Sequence, residues 1–234
     1  MDLFRKAKLK LQFGLWARIR ANNYHGYYLS HSLFGEDMIV RALLNEVSRG
    51  FYIDIGAHHP VYSSNTFHFY ERGWRGINVD ATPGSMELFQ LVRPRDINLE
   101  ACISDLRNAA VRFFLFEDGL LNTADPATAA QMQALGHPLA GEVTVQTRTL
   151  SEIIDQYLPP HTDIDYLNID VEGLDEPILK SNDWNRFRPR VVSFECHLTQ
   201  KDSFEEISML QFFAGKGYQF QAKCGSTIIV ERQS

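Results

Sequence analysis

The chain has 234 residues, a formal net charge of −6, 44% hydrophobic and 22% charged residues. This lies inside the ordinary globular range and excludes a disordered, collagen-like or coiled-coil chain. At this length one large α/β domain, with or without a small appendage, can bury a sizeable core. Three widely spaced cysteines, Cys102, Cys196 and Cys224, each in an apolar run, read as buried thiols in a reducing compartment, not as a disulfide framework or zinc site. No apolar run has the length of a membrane span, and the N-terminus lacks the unbroken apolar stretch of a secretory signal.

Charge is unevenly spread. Residues 1–20 carry Arg5, Lys6, Lys8, Lys10, Arg18 and Arg20 against Asp2 alone, so the rest of the chain is more acidic than the total suggests. Leu3, Ala7, Leu11, Leu15 and Ile19 recur every four residues, which predicts a basic amphipathic helix. The ordinary reading is a helix packed on the domain; the sharper one is a helix lying on an anionic membrane surface or against a partner. Residues 1–31 are this helix and its linker, and 32–234 the main domain.

Beyond residue 36 the hydrophobic period switches repeatedly. A helix from Met38 to Val47 ends near Gly50, and Phe51–Ile55 is a short strand. Residues 64–72 can form a helix with Ser63 or Ser64 as N-cap and Gly73 as its stop. Asn65 and Thr66 at its start read as caps, and Phe67, Phe69, Tyr70 and Trp74 as packing. Gly76–Asp80 is a second strand, 84–92 a helix and Ile97–Ser104 a third strand. This βαβαβ alternation predicts parallel strands with right-handed crossovers, the doubly wound pattern.

Val111–Phe116 and Val143–Thr149 alternate like strands. The segment 117–142 between them, broken by prolines and glycines, reads as a functional insertion with a short helix over 127–135. A helix at 150–157, a strand at 164–169, a helix at 174–181, a strand at 190–196 and a helix at 203–215 follow. Residues 218–222 and 227–231 close the chain as an antiparallel hairpin.

Four strand ends carry the chemistry. The first strand runs into Asp54 and Gly56, and the second ends at Asp80, placed to accept hydrogen bonds from both hydroxyls of a ribose. The Gly-rich phosphate cradle of a dinucleotide site is missing, because Gly56 is followed by Ala57, His58, His59 and Pro60. An acid before a single glycine suits a cofactor with a cationic amino group and no phosphate, such as S-adenosylmethionine, better than NAD. A third strand emits Asp170 and Glu172, and a fourth Glu195 and His197. Ionisable groups converging on one sheet edge are placed for acid–base work, with His197, Asp170 and Glu172 as candidate bases for a hydroxyl acceptor. No His-Glu-x-x-His or close Asp/His cluster is present, so no metal site is assigned, with a carboxylate-bound Mg²⁺ near Asp170 as the minor alternative.

Asp54-x-Gly-Ala, the run from Asn65 to Asp80, Ala101-Cys-Ile-Ser-Asp105, and Leu167-Asn-Ile-Asp-Val-Glu-Gly173 together resemble the conserved blocks of the FkbM-type S-adenosylmethionine-dependent methyltransferases. Ser32-Leu-Phe-Gly-Glu-Asp37 is similar to that family's leading segment. The resemblance implies a Rossmann-like doubly wound α/β fold with a seven-stranded, mostly parallel sheet whose last strand is antiparallel. It also implies methyl transfer to hydroxyl groups, often on sugars of polysaccharides or glycolipids and sometimes on polyketides or other natural products. Asp54 and Gly56 would hold the methionine end of the cofactor, Asp80 the ribose, and Ser104 and Asp105 the adenine, with Ala57 and Ala81 also at the cofactor. Asp170 and Glu172 would face the transfer site, Asp170 touching the cofactor as well.

The expected protein is a cytoplasmic O-methyltransferase acting on a glycan or small-molecule hydroxyl, peripheral to the inner membrane face if the basic helix docks there. A scaffold built on a degenerate methyltransferase fold is the alternative from another class, and an NAD enzyme a weaker third. The acidic body and scattered Lys/Arg argue against a nucleic-acid partner.

Overall fold

The computed structural model describes residues 28–196 and 208–233. The expected helix of residues 1–20, His197 and the first residues of the helix at 203–215 lie outside this range. The elements are α1 (Glu36–Leu43), β1 (Phe51–Ile55), α2 (Phe67–Glu71), β2 (Arg75–Asp80), α3 (Met86–Val92), β3 (Ile97–Glu100), β4 (Cys102–Ile103), β5 (Ala110–Phe116) and a 3₁₀ turn (Gly119–Leu121). They continue with α4 (Pro126–Ala134), β6 (Leu139–Arg148), α5 (Leu150–Tyr157), β7 (Tyr166–Ile169), α6 (Asp175–Lys180), β8 (Val191–Glu195), α7 (Ser208–Gly215), β9 (Tyr218–Cys224) and β10 (Thr227–Arg232).

Seven strands form one sheet in the order β3-β2-β1-β7-β8-β10-β9. The pairs from β3 to β8 are parallel, and β10 runs antiparallel to both its neighbours. This is the Rossmann-like arrangement expected from the sequence. Central strands are buried on both faces and therefore read as near-continuous apolar runs; β1 and β7 are buried throughout. One face packs Ile53, Ile55, Leu167 and Ile169 against Ile153, Ile178 and Phe213 of α5, α6 and α7. The other sets Tyr52, Tyr166 and Val191 against Val40, Phe67 and Phe69 of α1 and α2.

Three expectations need correction. The third strand breaks at Ala101, where β3 stays in the main sheet and β4 pairs with β6 in a separate three-stranded sheet, β4-β6-β5. The segment 117–142 carries the expected short helix as α4, capped by Asp125, whose carboxylate accepts from the Ala127 and Thr128 N–H groups, but β6 begins at Leu139, four residues before the expected strand. Of the three thiols only Cys102 is buried; Cys196 and Cys224 are half-buried.

Beneath α1 and α2 lies a polar seam inside an apolar core. Asn98, Asn78, Asp54, Asn168 and Ser193 stand in one register row across five adjacent parallel strands. Behind them Arg93 and Asp96 are fully buried and paired at 3.0 Å. Arg93 also donates to the Tyr52 hydroxyl (2.7 Å) and Thr66 Oγ1 (2.8 Å). Asp96 accepts from Tyr52 (2.6 Å), the Gly76 N–H (3.0 Å) and Asn78 Nδ2 (3.0 Å). A Cβ at Gly76 would lie 2.1 Å from the Tyr52 ring, so glycine is required for β2 to pass this tyrosine.

Removing one partner of a buried pair strands the other charge. Arg93→Leu is expected to lower stability by about 3–5 kcal/mol in urea unfolding. Arg186→Ala, which breaks an exposed pair with Asp155, should leave the midpoint near wild type. Equal, small effects of the two would contradict this view of the seam.

Candidate active site

The chain winds outward from β1 in one direction and from β7 in the other. This leaves a crevice above their carboxyl ends, where open α/β sheets bind ligands. A cavity of about 300 Å³ lies there, a size suited to small molecules. Gly56 forms part of its floor with φ 80°. A Cβ there would fall 1.7 Å from the Asp170 carbonyl oxygen, so only glycine lets the turn after β1 meet the segment after β7.

At the end of β2, Asp80 is held by two backbone donors, the His58 N–H on Oδ2 (2.9 Å) and the Thr82 N–H on Oδ1 (2.7 Å). Each oxygen keeps acceptor capacity for a ligand hydroxyl. His58 reaches Asp80 from a left-handed backbone conformation, φ 47°, which costs a non-glycine residue energy and is found preferentially at functional sites. Ala101, Ile103 and Phe113 supply an apolar slot in the same cavity. The insertion roofs it through two ties: Asn122 Nδ2 donates to Thr82 Oγ1 (3.0 Å), and Thr123 Oγ1 donates to the Glu172 carbonyl (2.9 Å).

The far end of the cavity is acidic. Asp170, Glu172 and Glu195 each bring a carboxylate oxygen within 4.8 Å of the others. Glu195 accepts from Ser226 Oγ (2.9 Å), and its N–H donates to Asp175 Oδ1 (2.9 Å), which anchors β8 to α6. Burial, then the like charges of Glu195 and Asp118, push the Glu172 carboxyl up to about 7. Burial, then Asp175, Glu195 and Glu172, hold Asp170 well above the usual carboxylate range. Glu172 has φ 53°, a second strained position at the cavity wall.

Gly56, Asp80, Ala81, Asp170 and Glu172 thus line one cavity, as the motifs suggested. Asp54, Ala57, Ser104 and Asp105 are not among its lining residues. Asp54 faces the seam, where Oδ2 accepts from Thr66 Oγ1 (2.5 Å) and Oδ1 from Asn168 Nδ2 (2.9 Å). Ala57 packs on Met86 and Phe89. Ser104 and Asp105 bond each other (3.1 Å) in the turn after β4, while Cys102 and Ile103 are the residues of that strand that reach the cavity. His197 falls outside the described residues; among these, Glu195 stands with Asp170 and Glu172. The reading of Asn65 and Thr66 as caps missed their part in the seam. The available signal was a polar residue inside each of several otherwise apolar strands.

An acid at the second strand end with an apolar slot beside it, and no phosphate cradle, suits a nucleoside cofactor that carries no phosphate. The sequence matches the Methyltransferase FkbM domain over residues 54–220, and the chain belongs to that family. It is an S-adenosylmethionine-dependent methyltransferase. Among solved structures it is similar to a TehB-like SAM-dependent methyltransferase from Corynebacterium glutamicum (11% identity, all of both chains, TM-score 0.41). It is also similar to the C-terminal domain of precorrin-6Y C5,15-methyltransferase from Rhodobacter capsulatus (11% identity, 92% and 95% coverage, TM-score 0.42). A third is the O-methyltransferase from Bacillus cereus in complex with SAH (10% identity, 95% and 90% coverage, TM-score 0.37). These likenesses are distant, and the assignment rests on the family match. No curated protein sequence matches the chain.

The acid cluster has a consequence for stability. A carboxyl whose folded value is raised from 4.5 to about 7 favours the fold below its unfolded value, and that contribution is lost as pH rises through 7. Glu172→Gln should therefore melt higher than wild type at pH 8 and equally at pH 4, measured by calorimetry. A variant that melts lower at pH 8 would show that Glu172 is not strained by its neighbours.

Proposed function

We propose that the chain transfers a methyl group to a hydroxyl oxygen, with Glu172 as general base, and that the acceptor is a sugar of a polysaccharide or glycolipid. The observation that carries this reading is the trio of carboxylates at the far end of the cofactor cavity, one of them near neutrality. S-adenosylmethionine, when bound, supplies an electrophilic methyl group on a sulfonium. Asp80 would hold the ribose hydroxyls, and the slot of Ala101, Ile103 and Phe113 the adenine ring. Transfer needs the acceptor proton removed as its oxygen attacks, and a base works best with its value near the working pH. Glu172 meets that condition, and Asp170, raised by burial and by the neighbouring acids, stands beside it. Leu33, Phe34 and Leu120 are exposed at the rim. They offer an apolar surface to the C–H face of a sugar whose hydroxyls turn to the acids.

Residues 1–20, basic and amphipathic in sequence, are proposed to dock the enzyme on an anionic membrane, where a glycolipid acceptor would lie. No described helix is long and apolar enough to cross a membrane. Deleting residues 1–20 should reduce association with anionic vesicles and leave S-adenosylhomocysteine binding intact. Unchanged association would remove the docking role.

Two substitutions test the site. Asp80→Asn should weaken S-adenosylhomocysteine binding by about tenfold or more in calorimetry; unchanged affinity would remove the ribose assignment. Glu172→Gln should lower kcat by about 10²–10⁴ without changing cofactor affinity. In wild type kcat should rise with pH and level off above about 7, because the base must be unprotonated. The rise should vanish in Glu172→Gln, and its persistence would place the base elsewhere. Three carboxylates this close are also able to share one divalent cation; full activity in EDTA supports the proton-transfer reading, and loss restored by Mg²⁺ overturns it.

A further inference from the structure

Asp54, expected at the cofactor, and Asn65, expected to be a helix cap, both belong to the family-like sequence blocks, yet only Asn65 reaches the cavity wall. The hydrogen bonds behind it run in one direction. Both Asp54 oxygens accept, one from Thr66 Oγ1 and one from Asn168 Nδ2 at 2.9 Å. A carboxylate has no donor to offer, so the Asn168 amide must present its nitrogen to Asp54 and its oxygen to the opposite side. There Asn168 Oδ1 accepts from Ser193 Oγ (2.6 Å) and from Asn65 Nδ2 (3.0 Å). With its nitrogen committed to Asn168, Asn65 is left with an acceptor, Oδ1, which bonds no protein group among the described residues. Asn65 is 7% exposed, so little of this side chain is open to solvent.

We propose that Asn65 Oδ1 accepts a hydrogen bond from the α-ammonium of the cofactor's methionine moiety, and that Asp54 and Asn168 are positioning residues that fix the amide for it. This rests on the reading of Asp80 as the ribose ligand, because a ribose over the end of β2 carries the non-nucleoside end of the cofactor toward the β1–β7 crevice. Asn65 is tied to β7 there through Asn168, one residue before Ile169 and two before the acidic Asp170. The motif carboxylate of Asp54 thus acts on the cofactor at two removes: it sets the polarity of two amides, the second of which makes the contact. An amide oxygen selects for a donor, so the site discriminates in favour of the amino group without a direct ion pair.

The test uses three ligands on the full chain, followed by calorimetry: S-adenosylhomocysteine, its desamino analogue, and methylthioadenosine, which has no amino-acid portion. In wild type the desamino analogue should bind about tenfold or more weakly than S-adenosylhomocysteine, as expected for loss of a charged hydrogen bond. In Asn65→Ala that ratio should fall to within about twofold, while methylthioadenosine binds as in wild type and so reports a folded pocket. If Asn65→Ala binds none of the three, Asn65→Ser reads the same ratio. A ratio in the variant equal to that of wild type overturns the proposal and leaves the cofactor assignment standing. Failure of wild type to bind any of the three overturns the cofactor reading itself, and this inference with it.

Discussion

A carboxylate buried in the middle of a parallel sheet must have each oxygen satisfied, and in this molecule that requirement organises the catalytic end of the fold. Asp54 is 2% exposed. Its position in a row with Asn98, Asn78, Asn168 and Ser193 means that five adjacent strands carry a polar side chain at the same level. Buried polar groups are costly unless they are bonded, and a connected network both rigidifies and specifies the core around it. Arg93 and Asp96 extend the seam from the strand row to α2 through Thr66, so the helix that follows the first strand is located by hydrogen bonds as well as by packing. Asn78 Oδ1 is a buried acceptor with no partner among the described residues, a small residual cost of the arrangement.

The cavity above the seam works against stability. Three carboxylates crowd its far end, Glu172 and His58 hold left-handed backbone conformations at its wall, and Asp175 is buried beside the acids and raised in its own titration. Each feature costs folding free energy, and the first two lie at the wall of the candidate cavity, where a trade between stability and activity is expected. The seam on one side and the roof ties of Asn122 and Thr123 on the other hold these unfavourable elements in position.

Much of this was legible in the chain. Strand ends at Asp54, Asp80 and Asp170 and the terminal hairpin emerged from period and turn chemistry, because buried strands and short crossovers leave strong local patterns. Gly56 and Asp80 could be placed at the site for the same reason. Asp54 could not be separated from them: sequence shows that an acid ends the strand, but not which face of the sheet its side chain takes, and here the parity of Ile53 and Ile55 sends it away from the cavity. The break at Ala101 was hidden because β3 and β4 are apolar alike and differ only in which sheet they join. Asn65 looked like a helix cap, since a cap and a core hydrogen-bond donor share the same residue type; its partner, Asn168, lies more than a hundred residues away.

The central claim is that the motif acid of the first strand builds the site without touching the cofactor. A crystal structure of the chain with S-adenosylhomocysteine tests it most directly. The account predicts the ribose hydroxyls on Asp80, with both Asp54 oxygens still bonded to Thr66 and Asn168 and no ligand atom within hydrogen-bond distance of them. A ligand amino group resting on Asp54, with Asn168 turned away, would contradict it.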